Sequence, residues 1–190
     1  MTWRGRFGGL AVVAFPVIIL AQSAPLQNAT PPPGRTPGAG PVAVVETSRG
    51  TFEFETYPDD APRTVAHVLA LIERRFYDGL RVHRVEAGFV IQLGDPLTRD
   101  EGRRASWGTG GSGTPVGLAE FSRRRRHTLG AVAMAHPGNP AQADAQFYVT
   151  LAPVPRLDGK YTVFGQVIAG LDVLPQIRVG DVVERVWVRR

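Results

Sequence analysis

Phe76-Tyr77-Asp78-Gly79, Val82-His83-Arg84-Val85, Gly88-Phe89-Val90-Ile91-Gln92 and Gly94-Asp95-Pro96 follow one another between positions 76 and 96, and their reading decides the fold. They carry two short β-prone runs, 81–85 and 89–93, and similar runs recur at 130–135, 146–150, 162–168 and 182–188. Upstream, runs at 42–48 and 51–56 flank Arg49-Gly50, a two-residue connection that reads as a β-hairpin. Phe52 and Phe54 alternate with Glu53 and Glu55, the period of a strand with one wet face. Ala61-Pro62 precedes Val65, Val68, Leu69 and Ile72, an apolar stripe of helical period that predicts one amphipathic helix over 62–74. A second short helix is expected near Leu171, after Gly170. Many short strands with two flanking helices predict a mainly β domain, a closed eight-stranded antiparallel barrel without exposed strand edges. The stretch 96–127 has few strand signals and is long for a structureless loop, which points to a functional surface.

A chain of 190 residues, 43% hydrophobic and 21% charged, accommodates one globular domain plus tails. Its net charge of +5 comes from arginine, since Lys160 is the only lysine. The absence of cysteine excludes disulfides, thiolate metal sites and cysteine nucleophiles. Arg4 and Arg6, the apolar run 8–20 and the small residues Ala21 and Ser23 read as a signal peptide or an N-terminal membrane anchor over 1–23. A Pro/Gly-rich linker over 24–41 and a folded domain over 42–190 follow. The protein is therefore expected to be exported, to the periplasm or the extracellular space, with a membrane tether if the segment is not cleaved.

His67, His83, His127 and His136 show no HxxxH or HxH spacing, so no metal is expected. The run 108–113 is glycine-rich but lacks the Gly-Lys-Ser/Thr ending of a phosphate cradle, and reads as a mobile surface loop. No GxSxG elbow is present. Arg123-Arg124-Arg125-Arg126 has no interleaved stacking aromatics, so it reads as a solvated loop, and no nucleic acid partner is expected.

The segments at 76–96 resemble the central block of bacterial cyclophilins. The similarity continues through Gly110-Gly111-Ser112-Gly113, Glu120-Phe121, Gly130-Ala131-Val132-Ala133-Met134-Ala135, Gln146-Phe147-Tyr148-Val149 and the stretch from Leu157-Asp158-Gly159-Lys160-Tyr161 to Gly165. Order and spacing match over essentially all of 42–188. The resemblance implies a cyclophilin-like fold and peptidyl-prolyl cis-trans isomerase activity on proline-containing polypeptides, assisting the folding of exported proteins, as a monomer and without a cofactor. The chemistry is rotation about an X-Pro amide against a barrier of ~18–20 kcal/mol, which a hydrogen-bond donor to the prolyl nitrogen lowers without covalent steps. The resemblance makes Arg84 that donor, with Phe89, Val90 and Leu157 walling the proline pocket. Tyr148 stands where the family has the phenylalanine of the pocket floor. Gln92 and Gln146 would bind substrate backbone and orient Arg84, Ala135 and His136 would pair with the peptide before the proline, and the Tyr161 hydroxyl would donate to substrate. Arg156 replaces the tryptophan of many eukaryotic members, Tyr161 their histidine, and Glu86-Ala87 an apolar residue and proline, changes expected to shift specificity. A peptide-binding chaperone with little isomerase activity is the second reading.

Overall fold

The expected hairpin forms, but its two-residue turn is Ser48-Arg49, one position earlier than Arg49-Gly50, and Gly50 already belongs to the second strand. β1 (Val42–Thr47) and β2 (Gly50–Thr56) run antiparallel with Thr47 opposite Gly50, whose φ of 130° suits glycine. The structure is a computed structural model describing residues 1–2, 36 and 38–189. The expected signal or anchor segment, beyond Met1 and Thr2, and most of the linker lie outside the described residues. Phe52 and Phe54 are fully buried as their alternation requires. Glu55, expected on the wet face, is fully buried too, because the chain ahead of β1 lies across it and the Thr36 amide donates to its carboxylate at 3.0 and 3.1 Å.

α1 (Pro62–Glu73) starts on its proline and buries Val65, Val68, Leu71 and Ile72. Its first free amides, of Arg63 and Thr64, donate to the Glu120 carboxylate at 3.0 and 2.8 Å, which pins the long 96–127 stretch to the helix. That stretch contains two 3-10 helices, Pro96–Arg99 and Glu101–Ser106, and is otherwise irregular.

β3 (Arg84–Glu86), β4 (Val90–Leu93), β5 (Ala131–Met134), β6 (Phe147–Thr150), β7 (Val163–Ala169) and β8 (Val183–Arg189) complete one antiparallel sheet in the order β3-β4-β6-β5-β7-β2-β1-β8. The sheet curls as a half-barrel and does not close, contrary to the expectation of a closed barrel. β3 is only three residues long, and the chain turns just before it, at Gly79 with φ 75°. Only the 79–82 turn therefore reaches the start of β8, through an isolated Arg81–Val182 bridge and backbone bonds such as Val183 N to Leu80 O at 2.7 Å. The edge is protected by its shortness instead of by closure. The second helix expected near Leu171 is the single 3-10 turn Leu174–Gln176.

Alternation along the strands sorts side chains into two buried clusters. Ile91, Leu93, Val132, Met134, Phe147 and Val149 join Phe52, Phe54, Tyr77, Phe164 and α1 in the main core. Val90, Ala131, Ala133 and Tyr148 face the other way and pack with Tyr57 and Val163. Phe89, Ala135, Leu157 and Tyr161 cover this second cluster, and the candidate site is its outer surface.

Candidate functional site

Strand register assembles the site. Arg84 of β3 lies opposite Gln92 of β4, Gln92 opposite Tyr148 of β6, and Tyr148 opposite Ala133 of β5, one row across four strands. Over this row opens a cavity of about 220 Å³, lined by Arg84, Phe89, Val90, Gln92, Ala135, His136, Tyr148, Leu157 and Tyr161. Every residue singled out from sequence borders it except Gln146, which lines an adjoining cavity of about 400 Å³ that shares Gln92, Ala135 and His136.

The Arg84 guanidinium is held from two sides. Nε and Nη2 donate to Glu86 Oε1 at 2.9 and 2.5 Å, and Nη1 donates to Gln92 Oε1 at 3.2 Å. With its oxygen engaged there, Gln92 directs Nε2 at Gln146 Oε1, 2.8 Å away. Gln146 in turn donates through Nε2 to the carbonyls of Gly108 and Gly110, at 2.9 and 2.8 Å. An oriented chain of amides thus runs from the 108–110 loop to the guanidinium. Gln146 serves this chain, and its donors are not open to a peptide. The loop is held as well by buried Asp95, which accepts from the amides of Leu97 at 2.8 Å and Gly108 at 2.5 Å. Gly110 and Gly111 abut the carboxylates of Asp95 and Asp144, where any side chain would collide.

Tyr148 presents its ring to the cavity and turns its hydroxyl away, to His127 Nε2 at 2.9 Å. His127 is wholly buried, and its Nδ1 and its backbone amide each lie 2.9 Å from Asp158 Oδ1. Burial pushes the His127 pKa down and the Tyr148 pKa up, so both are neutral. Burial opposes the Asp158 charge, but the His127 backbone and ring and the Arg126 guanidinium hold its carboxyl below the ordinary range. Asp158 then accepts from Nδ1–H, and Tyr148 O–H donates to Nε2. Tyrosine therefore offers the pocket the same face that phenylalanine would.

Tyr161 meets Tyr148 edge-on, with centroids 5.7 Å apart, and His136 stacks on Tyr161 at 4.4 Å. His136 Nε2 donates to the Lys160 carbonyl at 3.1 Å while Nδ1 accepts from Gly138 N at 3.2 Å. The Ala135 amide is engaged by the Gln146 carbonyl at 2.9 Å, which leaves its own carbonyl as the backbone group it can offer the cavity. Phe89 has Arg84 Cζ 5.7 Å and Arg156 Cζ 4.5 Å from its centroid.

The arginine run is a largely exposed loop, as read, but three of its guanidiniums are engaged. Arg124 and Arg125 bind buried Asp60 at 2.9 and 2.6 Å, Arg125 lies 3.6 Å over the Tyr57 ring, and Arg126 binds Asp158 at 3.3 Å. Sequence reasoning also missed the contact of Glu86 with Arg84 and the His127–Asp158 pair. The signal for the pair was Tyr148 itself, since a hydroxyl placed in an apolar floor demands a partner.

These burials make stability acid-sensitive. His127 and His83, both lowered by burial, resist protons that the unfolded chain accepts near pH 6.5, so their contribution is complete above that pH and is lost as pH falls toward their folded values. Asp60, Asp158 and Asp181, all lowered, add stability above about pH 3.8 that is lost as pH falls through their folded values. Thermal melts followed by circular dichroism should show Tm declining from pH 7 to 5 and again below about pH 4; a Tm constant to pH 4 would contradict this.

The model of the cyclophilin type peptidyl-prolyl cis-trans isomerase/CLD family matches residues 42–190. The peptidyl-prolyl cis-trans isomerase of Helicobacter pylori (strain ATCC 700392 / 26695) is 36% identical over 146 residues, 76% of this chain and 84% of that protein. Peptidyl-prolyl cis-trans isomerase B of Bacillus subtilis (strain 168) is 40% identical over 137 residues, 72% of this chain and 90% of that protein. Among solved structures, a Cryptosporidium parvum cyclophilin type peptidyl-prolyl cis-trans isomerase superposes with a TM-score of 0.69 at 24% identity, covering 79% of this chain and 98% of that one, a likeness of fold.

Proposed function

Because the chain belongs to the cyclophilin-type peptidyl-prolyl cis-trans isomerase family, we propose that it catalyses rotation about X-Pro bonds of exported polypeptides, with Arg84 as donor to the prolyl nitrogen. The observation that carries this reading is the Arg84-Gln92-Tyr148 row, which sets a permanently charged donor beside a cavity walled by Phe89, Val90 and Leu157. In the twisted amide the prolyl nitrogen regains its lone pair, and a donor aimed there favours that state over both planar isomers. Each ~1.4 kcal/mol of such preference raises the rate about tenfold. The planar fork of arginine stays charged at any relevant pH, and Gln92 and Glu86 hold it in place. Phe89, Leu157 and the Tyr148 ring would grip the pyrrolidine while the carbonyl side turns, with the residues before proline along Ala135 and His136. No proton moves, so neither His136 nor Tyr161 acts as acid or base. Arg4, Arg6, the apolar run 8–20 and the small residues Ala21 and Ser23 support action outside the cytoplasmic membrane.

One contact favours the second reading, a peptide-binding chaperone of the same fold. Glu86 occupies Nε and Nη2, and if no N–H of the braced fork were left for the prolyl nitrogen, peptide would dock without turnover. NMR exchange spectroscopy on an Ala-Pro peptide separates the two. The isomerase reading expects cis and trans resonances to exchange on a sub-second scale with catalytic amounts of protein, against tens to hundreds of seconds unassisted. Binding without acceleration would establish the chaperone instead.

A further inference from the structure

The charges around the proline cavity are not evenly matched. Arg84 is balanced by Glu86, and Arg126 by Asp158. Arg156 and Lys160, both exposed, have no carboxylate within salt-bridge distance among the described residues. Both sit on the segment 155–161, which supplies Leu157 and Tyr161 to the cavity. Pro155–Leu157 is a single 3-10 turn, so bringing Leu157 into the wall leaves Arg156 on the lip, its Cζ 4.5 Å from the centroid of Phe89. The one acid of this segment, Asp158, is turned inward onto His127. The segment thus carries two positive charges, and that of Arg156 is braced on a wall of the cavity.

The other end of the groove has the opposite character. The adjoining cavity meets the proline cavity at Gln92, Ala135 and His136, and Asp144 lines it. Asp144 is held there by Ser112 and the Gly113 amide, its side chain 17% exposed. Phe89 and Leu157 lie beyond the shared residues. A peptide that enters along Ala135 and His136 therefore leaves past Phe89 and Arg156.

We propose that the Arg156–Lys160 lip makes the enzyme selective for substrates with an acidic residue directly after the proline, a specificity that rests on the isomerase reading above. Contact with the Phe89 ring restricts the Arg156 guanidinium, whose N–H fork suits a carboxylate. The pair forms in water, so the preference is modest, about fivefold, and falls with salt.

The test measures kcat/KM of the full chain for Ala-Pro-Glu, Ala-Pro-Ala and Ala-Pro-Lys peptides, and for Glu-Pro-Ala and Lys-Pro-Ala, by NMR exchange at low and high salt. The expected result is about fivefold faster turnover with glutamate than with lysine after the proline, shrinking in high salt. No preference for glutamate before the proline is expected. Arg156→Ala should reduce the ratio, leaving the part due to Lys160, and Arg156→Glu should reverse it, each normalised to the neutral peptide. Equal rates for glutamate and lysine in the unaltered protein, or a ratio that survives Arg156→Glu, overturn the proposal and leave the isomerase reading standing. A lack of catalysis with every peptide overturns both.

Discussion

Replacing Arg84 by alanine lowers kcat/KM for an Ala-Pro peptide by about 100-fold or more, the usual consequence of removing a donor aimed at a transition-state charge. The cavity holds no other permanent cation aligned by two partners. The remaining donors, the Tyr161 hydroxyl and the second hydrogen of Gln92 Nε2, are neutral. Arg84→Lys should recover little, because a point charge on a flexible stem cannot bond Glu86 and Gln92 at once as the fork does. Folding should be nearly unaffected, since the side chain is 45% exposed and its ion pair is with an equally exposed neighbour. Peptide titration should show affinity largely preserved, as the Phe89, Leu157 and Tyr148 surfaces remain. Wild-type turnover in Arg84→Ala would sink the mechanism.

His127→Leu should produce the largest loss of stability among site variants, about 2–4 kcal/mol by denaturant unfolding. The change deprives the Tyr148 hydroxyl of its acceptor and Asp158 of a ring donor in a region closed to water. A phenol without an acceptor also has no reason to keep its orientation, and turnover should drop about tenfold because the floor of the cavity loses its definition. Tyr148→Phe in the same background removes the stranded hydroxyl and should restore most of the lost stability and rate. The double-mutant cycle should therefore show coupling of at least about 1 kcal/mol. Simple additivity of the two substitutions would mean that the Tyr148–His127 bond contributes nothing.

What the sequence made legible was local. The hairpin, the proline at the start of α1 and the alternation in β2 each involve neighbours along the chain, and each formed as read, apart from the turn, which falls one residue early at Ser48-Arg49, and buried Glu55. Closure of the sheet was not legible, because it depends on how far the three-residue β3 can reach toward β8. Phe89 and Leu157 were identified by family resemblance, since by pattern alone either would be a core residue. His127 and Asp158 are 31 positions apart, and Arg125 and Asp60 65, separations that periodicity does not bridge. The glycines at 110 and 111 read as loop freedom, whereas they are the only residues small enough to lie against Asp95 and Asp144.

The pairing of β1 with β8 sets Val42 opposite Arg189, the two ends of the domain. α1 packs against β8 as well. Until the last strand is available, β1 has one bare edge and the core beneath α1 lacks Val183 and Val186. Completion of the sheet therefore waits for β8 to be made, since long-range pairing cannot begin before its partner exists. A domain sealed by the pairing of its first strand with its last stays open along β1 until residues 183–189 are in place.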